Sequence, residues 1–361
     1  MKPLKYSQLM PKTAIEKLKL LEIEEECENL IGRDIEYIRS ELLDSPYKED
    51  LLATSQDDGD STVLEKALHR NYMRIFEKLI NFSFGDIKEL LSALLKKFEV
   101  SNVKSMLRTT KAGMDANEAL TYIIPAGRLD EDRCRKILTS SKTVEGVIEA
   151  LSDLEYGPIL REVFQEHQKD DGLFPLELAL DQAVYNGIKR KIEDLRGRDK
   201  TVAEEILGIE MDAINVKIIL RCKRQDIPPD QIQDYLIPPA LITRQTFKEA
   251  IKATDVKSMM EKFLTAQETV NKPSYQNLFT KLLEEHAASL SRLELILDEA
   301  RVKTSLHMMK KYTKYYNVGF ILAFLNLKWV EIKNLRCIIK GSERQLSYNQ
   351  IRKLLILPSK E

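Results

Sequence analysis

Apolar residues recur at i, i+3, i+4 and i+7 through most of this chain, the period of an amphipathic helix. The segments IFEKLINFSFGDIKELLSALLKKFE (75–99) and SLSRLELILDEARVKTSLHMMKKY (289–312) carry it without interruption. No long β-branched alternation competes, so the predicted fold class is all-α. Breakers separate the periodic stretches: DDGDS at 57–61, PAG at 125–127, KDDG at 169–172, PP at 238–239 and NKPS at 271–274. They divide the chain into helical hairpins. The most apolar stretch, VGFILAFLNL from Val318 to Leu327, covers ten residues and includes an Asn, about half of the ~20 that a bilayer-spanning helix needs. It reads as a buried helix, with Tyr316 and Trp329 beside it as core anchors.

One pattern returns along the chain. NVKSMLR at 102–108 is nearly repeated by NVKIILR at 215–221, and NLRCIIK at 334–340 is a third copy by residue type. An acid stands three residues before each Asn (Glu99, Asp212, Glu331), giving [DE]-x-x-N-Φ-[KR]-x-Φ-Φ-[KR] with Φ apolar. Seventeen residues after each Asn come Ala119, Ile232 and Ile351, which lead into ALTYIIP, IQDYLIP and IRKLLILP. Upstream, LELALDQA at 176 matches LELILDEA at 293. The copies lie 113 and then 119 residues apart, far beyond the ~34 to 47 of common helical solenoid repeats. Each unit is therefore domain-sized: 63–175, 176–292 and 293–361. In the first two, about 50 further residues follow, containing TVEGVIEAL (143–151) and DVKSMMEKFL (255–264). EIEEECENL (22–30) has similar spacing, so residues 1–62 are expected to complete the third unit. Three pseudo-equivalent units would then close into a ring.

On a helix advancing about 100° per residue, with Glu99 at 0°, Met106, Val103, Leu107 and Asn102 fall on one side and Lys104 and Arg108 on the other. The acid and the Asn thus share the apolar face, where unpaired polar groups cost several kcal/mol. Two roles fit: hydrogen bonding to loop backbone or helix ends, which would fix how each hairpin docks, or a binding or catalytic carboxylate. The outward bases Lys104, Arg108, Lys217, Arg221, Arg336 and Lys340 form either a solvated face or symmetry-related basic patches for an acidic partner.

Composition narrows the picture. Of 361 residues, 43% are hydrophobic, and 56 basic residues stand against 57 acidic ones for a net charge of −1. That is a soluble helical protein, and nothing in it favours a nucleic-acid phosphate backbone. Cys27, Cys134, Cys222 and Cys337 are far apart with no C-x-x-C, which suits a reducing cytoplasm. MKPLKYSQLMPK at the amino terminus lacks the apolar stretch of a signal peptide. There is no P-loop, no G-x-G-x-x-G, and no H-x-x-x-H or H-E-x-x-H among His69, His167, His286 and His307. His167, among acids in REVFQEHQKDDG, reads as a surface helix end. No catalytic residue, cofactor or metal is expected, although a dyad built from distant residues would leave no local trace.

Three tandem helical units, EMDAINVKIILR, and WVEIKNLRCIIKG followed by IRKLL together resemble the C subunits of the archaeal A-type ATP synthases, a family similar to the C subunits of the bacterial V-type enzymes and to the d subunits of the eukaryotic V-ATPases. The resemblance runs through the whole layout and is most specific at 331–341. It implies a funnel-shaped, pseudo-threefold adapter without a catalytic site, present in one copy per complex. Such an adapter would sit on the cytoplasmic face of the membrane proteolipid ring and receive the central stalk, passing torque between them. The residues carried over are Glu99, Asn102, Asp212, Asn215, Glu331, Asn334 and Arg336. The first copy departs from the pattern, with Ser101 and Ser105 flanking its motif and an untypical loop, TTKAGMDANE. A helical scaffold for soluble partners and an unrecognised helical enzyme are the competing classes.

Overall fold

The structure, a computed structural model, describes residues 5–21, 26–55, 59–167, 172–312 and 316–357. Parts of the sequence landmarks (1–4 of MKPLKYSQLMPK, 22–25 of EIEEECENL, 57–58 of DDGDS, 169–171 of KDDG and 358 of IRKLLILP) lie outside the described residues.

Six long helices follow one another along the chain: α1 (Asp60–Asn81), α2 (Gly85–Lys111), α3 (Phe174–Asp194), α4 (Arg198–Arg224), α5 (Leu290–Tyr312) and α6 (Val318–Glu343), with α1 packed on α2 and α5 on α6 as hairpins. A short helix follows each: Ala116–Leu120, Pro229–Asp234 and Tyr348–Arg352. The landmarks Ala119, Ile232 and Ile351 are among its buried residues. Further helices close each of the first two copies, among them Val144–Ala150 and Val256–Thr265. No strand occurs among the described residues; Ala126 and Leu129 form a single isolated bridge.

The hairpin turns differ from the expected breakers. Residues 75–99 read as one continuous periodic stretch, yet the chain turns at 82–84, because Gly85 takes φ 56°. Gly197, the residue before α4, takes φ 58°. Only glycine adopts these left-handed angles cheaply, and a lone glycine inside an amphipathic pattern does not announce a turn.

Residues 39–191 form one compact unit, and 1–38 with 192–361 form another. In the first, α2 packs on α1 through Tyr72, Phe76 and Phe98, with ring centroids 5.4–6.3 Å apart. In the second, α4 packs against both α5 and α6, and in its core Phe263 stacks on Phe279 and meets Phe247 edge to face. The apolar start of α6 is buried from Phe320 to Leu325. It is packed by α4, α5 and the Leu9–Lys17 helix, which is why its sequence lacks a polar stripe. Among the described residues, no helix is long and apolar enough to cross a membrane. Tyr316 is not a core anchor: it is 64% exposed, standing just before Asn317, whose side chain caps α6 by accepting from the Gly319 N–H. Trp329 is half-buried.

Candidate functional site: the repeated acid and asparagine clamp

The repeated Asn sits on the buried face of a long helix in each copy: Asn102 on α2, Asn215 on α4, Asn334 on α6, each at most 1% exposed. Each side-chain amide grips one backbone residue, an isoleucine 22 positions on. Asn102 Nδ2 donates to Ile124 O at 2.6 Å and its Oδ1 accepts from Ile124 N at 2.9 Å. Asn215 holds Ile237 in the same way at 3.1 and 2.9 Å, and Asn334 holds Ile356 at 3.1 and 2.9 Å. A primary amide is the side chain that offers one donor and one acceptor in a plane, matching a backbone C=O and N–H. An ionised acid, which only accepts, could not complete both bonds in this geometry.

The acid one turn earlier holds the next piece of chain. Glu99 Oε1 accepts from the Arg128 N–H at 2.8 Å. Asp212 accepts from the N–H groups of Ala240, Leu241 and Ile242 at 2.9–3.0 Å and from the Tyr275 hydroxyl at 2.8 Å. Burial pushes both carboxyls above their ordinary range, and these N–H donors pull the other way. The longer acid brings a constraint with it. A Cβ on Gly127, which sits at φ 54°, would lie 1.9 Å from Glu99 Oε1. Opposite the shorter Asp212 the corresponding residue is Ala240. Glu331 accepts from the Leu21 N–H at 3.0 Å and from Lys328 Nζ at 2.8 Å, and both ends of that ion pair are about 1% exposed. Beside them the Cys27 thiol is pushed up to about 12, by burial first and then by the Glu331 charge.

Four of the outward bases are engaged by acids of the following long helix. Lys104 and Arg108 on α2 meet Asp181 and Glu177 on α3, at 2.7 and 2.6 Å. Lys217 and Arg221 on α4 meet Asp298 and Glu294 on α5, at 2.8 and 2.6 Å. Both arginines bind their carboxylates through two nitrogens. The acids belong to LELALDQA and LELILDEA, so two separate repeats of the sequence are the two sides of one contact. The string LEKALHRN at 64–71 stands in the same register on α1, with Glu65 and His69 at the positions of the paired acids. It carries the signal that would have extended the match to the first hairpin. On α6, Lys340 meets Glu343 at 3.1 Å on an exposed face, and Arg336 is half-buried.

His167 ends its helix as expected, Nδ1 against Val163 O at 3.0 Å. Among the described residues no group of His, Cys, Asp or Glu is arranged to hold a metal ion.

Residues 17–354 match the family described as ATP synthase (C/AC39) subunit. The chain is 25% identical over 318 residues to the A-type ATP synthase C subunit of Methanocaldococcus jannaschii, covering 87% of this chain and 77% of that one. It is 27% identical over 330 residues to the corresponding protein of Methanococcoides burtonii, covering 91% and 88%, and 27% identical over 317 residues to that of Halorubrum lacusprofundi, covering 87% of each.

Proposed function

The chain belongs to the ATP synthase (C/AC39) subunit family, and from that membership we propose that it is the adapter joining the central rotor stalk of an A-type ATP synthase to the membrane proteolipid ring. In this reading it has no active site of its own and lies peripherally on the cytoplasmic face. Its three pseudo-equivalent units (63–175, 176–292 and 293–361) build a pseudo-threefold funnel that couples ion flow to ATP synthesis or hydrolysis.

The observation that carries the reading is where the motif's polar groups go. The Asn of each copy and the acids of the first two tie a long helix to its own closing loop, while the bases of the first two copies tie one long helix to the next. A buried carboxylate satisfied by backbone N–H groups is poorly placed for acid–base chemistry but well placed to hold a joint. Long helices bolted in series suit a part that carries load. We assign Glu99, Asn102, Asp212, Asn215, Glu331 and Asn334 to holding the units closed, and Lys104, Arg108, Lys217 and Arg221 to stiffening the joints of α2 with α3 and of α4 with α5. Arg336 is assigned with the structural residues of the motif, and Lys340, whose side chain lies on an exposed face, is proposed to meet a partner.

The test is to mix the purified chain with the central-stalk subunits of the same source and follow the mixture by size-exclusion chromatography with light scattering. A complex with one copy of the chain is expected. If the folded, helical chain forms none, and no proteolipid is recovered with it from membranes, the alternative of a scaffold for soluble partners takes over.

A further inference from the structure

Along α5 the bases divide. Arg292 and Arg301 meet acids, whereas Lys303 and His307, which face a cavity, have no side-chain partner among the described residues. That cavity, of about 320 Å³, lies between α5 and the Pro273–Glu284 helix and is also lined by Glu205 of α4. Its volume falls at the low end of the ~300 to 1,000 Å³ of small-molecule sites. The two helices run antiparallel, since Arg292 pairs with Glu285 while Glu299, further along α5, pairs with Lys281, further back on the other helix. The Lys281–Glu299 pair therefore closes one end of the cavity, and Lys272, Lys303 and His307 stand toward the other. Leu278 and Ile296, at most 4% exposed, form an apolar wall with Ala300.

Lys272 and Glu205 are likewise without a side-chain partner among the described residues. Like charges gathered around one cavity leave a positive potential that an anion relieves. The repeats supply an internal control. Setting LELALDQA against LELILDEA puts Asn186 and Gly187 of α3 where α5 has Lys303 and Thr304. Setting Pro158 against Pro273, each in the first turn of its helix, puts Gly157 and Glu166 where this copy has Lys272 and Lys281. His307 alone has a basic counterpart, Arg190. The first copy folds into the same kind of hairpin joint without these lysines, so they are additions of the second.

We propose that this cavity binds a small sugar phosphate, its phosphate held by Lys272, Lys303 and His307 and its body laid against Leu278, Ile296 and Ala300. A phosphate monoester carries about −1.5 to −2 charges at pH 7 and three strong acceptor oxygens, which suits three donors around one opening. Glu205, which as a carboxylate only accepts, takes a hydroxyl of the body and selects a sugar over a hydrocarbon. The site is independent of the adapter role.

Isothermal titration calorimetry of the full-length chain with ribose 5-phosphate tests this, with ribose and inorganic phosphate as the two halves of the probe. The ester is expected to bind with a Kd below about 1 mM, and each half alone at least about tenfold more weakly. Lys272→Gln and Lys303→Gln should each weaken the ester by about tenfold. Lys310→Gln, on α5 outside the cavity, should leave its affinity unchanged. All three lysines are exposed, so the variants should keep the wild-type circular dichroism. The proposal is overturned if the ester does not bind, if inorganic phosphate or ribose binds as tightly as the ester, or if Lys310→Gln weakens it as much as Lys303→Gln.

Discussion

The joint between α2 and α3 and the joint between α4 and α5 are written with the same residue types, yet they are different objects. Within 39–191, Lys104 reaches Asp181, whose side chain stays 39% exposed. Within the other compact unit, Lys217 reaches Asp298, which is 16% exposed and also draws in Arg301 at 3.4 Å and Lys333 at 3.6 Å. Arg301 in turn holds Glu210 at 2.9 Å. The source of the difference is α6, which lies against α4 and α5 together and brings Lys333 with it. The arginine pairs at the same joints do not diverge: Arg108 and Arg221 are each 59% exposed. A repeated motif therefore specifies who meets whom, and the neighbouring helix decides how much the meeting is worth.

The comparison breaks most sharply at the two aspartates. Removing one partner of a buried charge cluster costs about 3–5 kcal/mol, whereas an exposed pair contributes ~0–1 kcal/mol. Asp298→Ala should lower the unfolding free energy by about 3 kcal/mol and Asp181→Ala by less than ~1, measured by urea titration. Equal losses would remove burial as the explanation.

Acid sharpens the same contrast. Burial works against the charge on Asp298, but Lys333, Lys217 and Arg301 together hold its carboxyl below the ordinary value. The stabilisation is thus complete above the unfolded value of about 3.9 and is lost as pH falls through the lower folded one. The gap between wild type and Asp298→Asn should be flat from neutral pH to about 5 and close below about 4. Asp212 carries the opposite sign. Its carboxyl is raised by burial, so wild type should gain on Asp212→Asn as pH falls through that raised value.

The clamps come next in size. Asn215→Ala leaves both the C=O and the N–H of buried Ile237 without their partner and should cost about 2–3 kcal/mol; Asn102→Ala should cost less, because Ile124 is half-exposed and water can replace the amide. Gly127→Ala should cost about 1–2 kcal/mol, from the positive φ and from displacing the Glu99 carboxylate, and pairing it with Glu99→Asp should recover part of the loss, since Asp212 already sits opposite an alanine. Thermal unfolding of the single and double variants checks this. Smallest of all, Arg108→Ala and Arg221→Ala should each change stability by less than ~1 kcal/mol despite their two-nitrogen geometry.

Much of this was legible in the residues. The helical period, the threefold recurrence and the placing of acid and Asn on the apolar face follow from spacing alone, because i, i+3 and i+4 relations are local. The strings ALTYIIP and IQDYLIP marked the loops that hold Ile124 and Ile237. What they are held by was not legible, since a hydrogen bond across 22 residues leaves no period. The pairing of Lys104 with Asp181 crosses 77 positions, and the burial of Asp298 depends on where a third helix lands. The turn at Gly85 was hidden because the apolar period runs through it unbroken.

Ion pumping by the assembled enzyme in lipid vesicles, prepared with and without this chain, tests the proposed coupling role most directly. If the chain is the coupling adapter, ATP hydrolysis by the soluble head persists without it, while ATP-driven ion uptake is lost and returns when the chain is added back. Ion uptake that proceeds at the full rate in its absence would contradict that role.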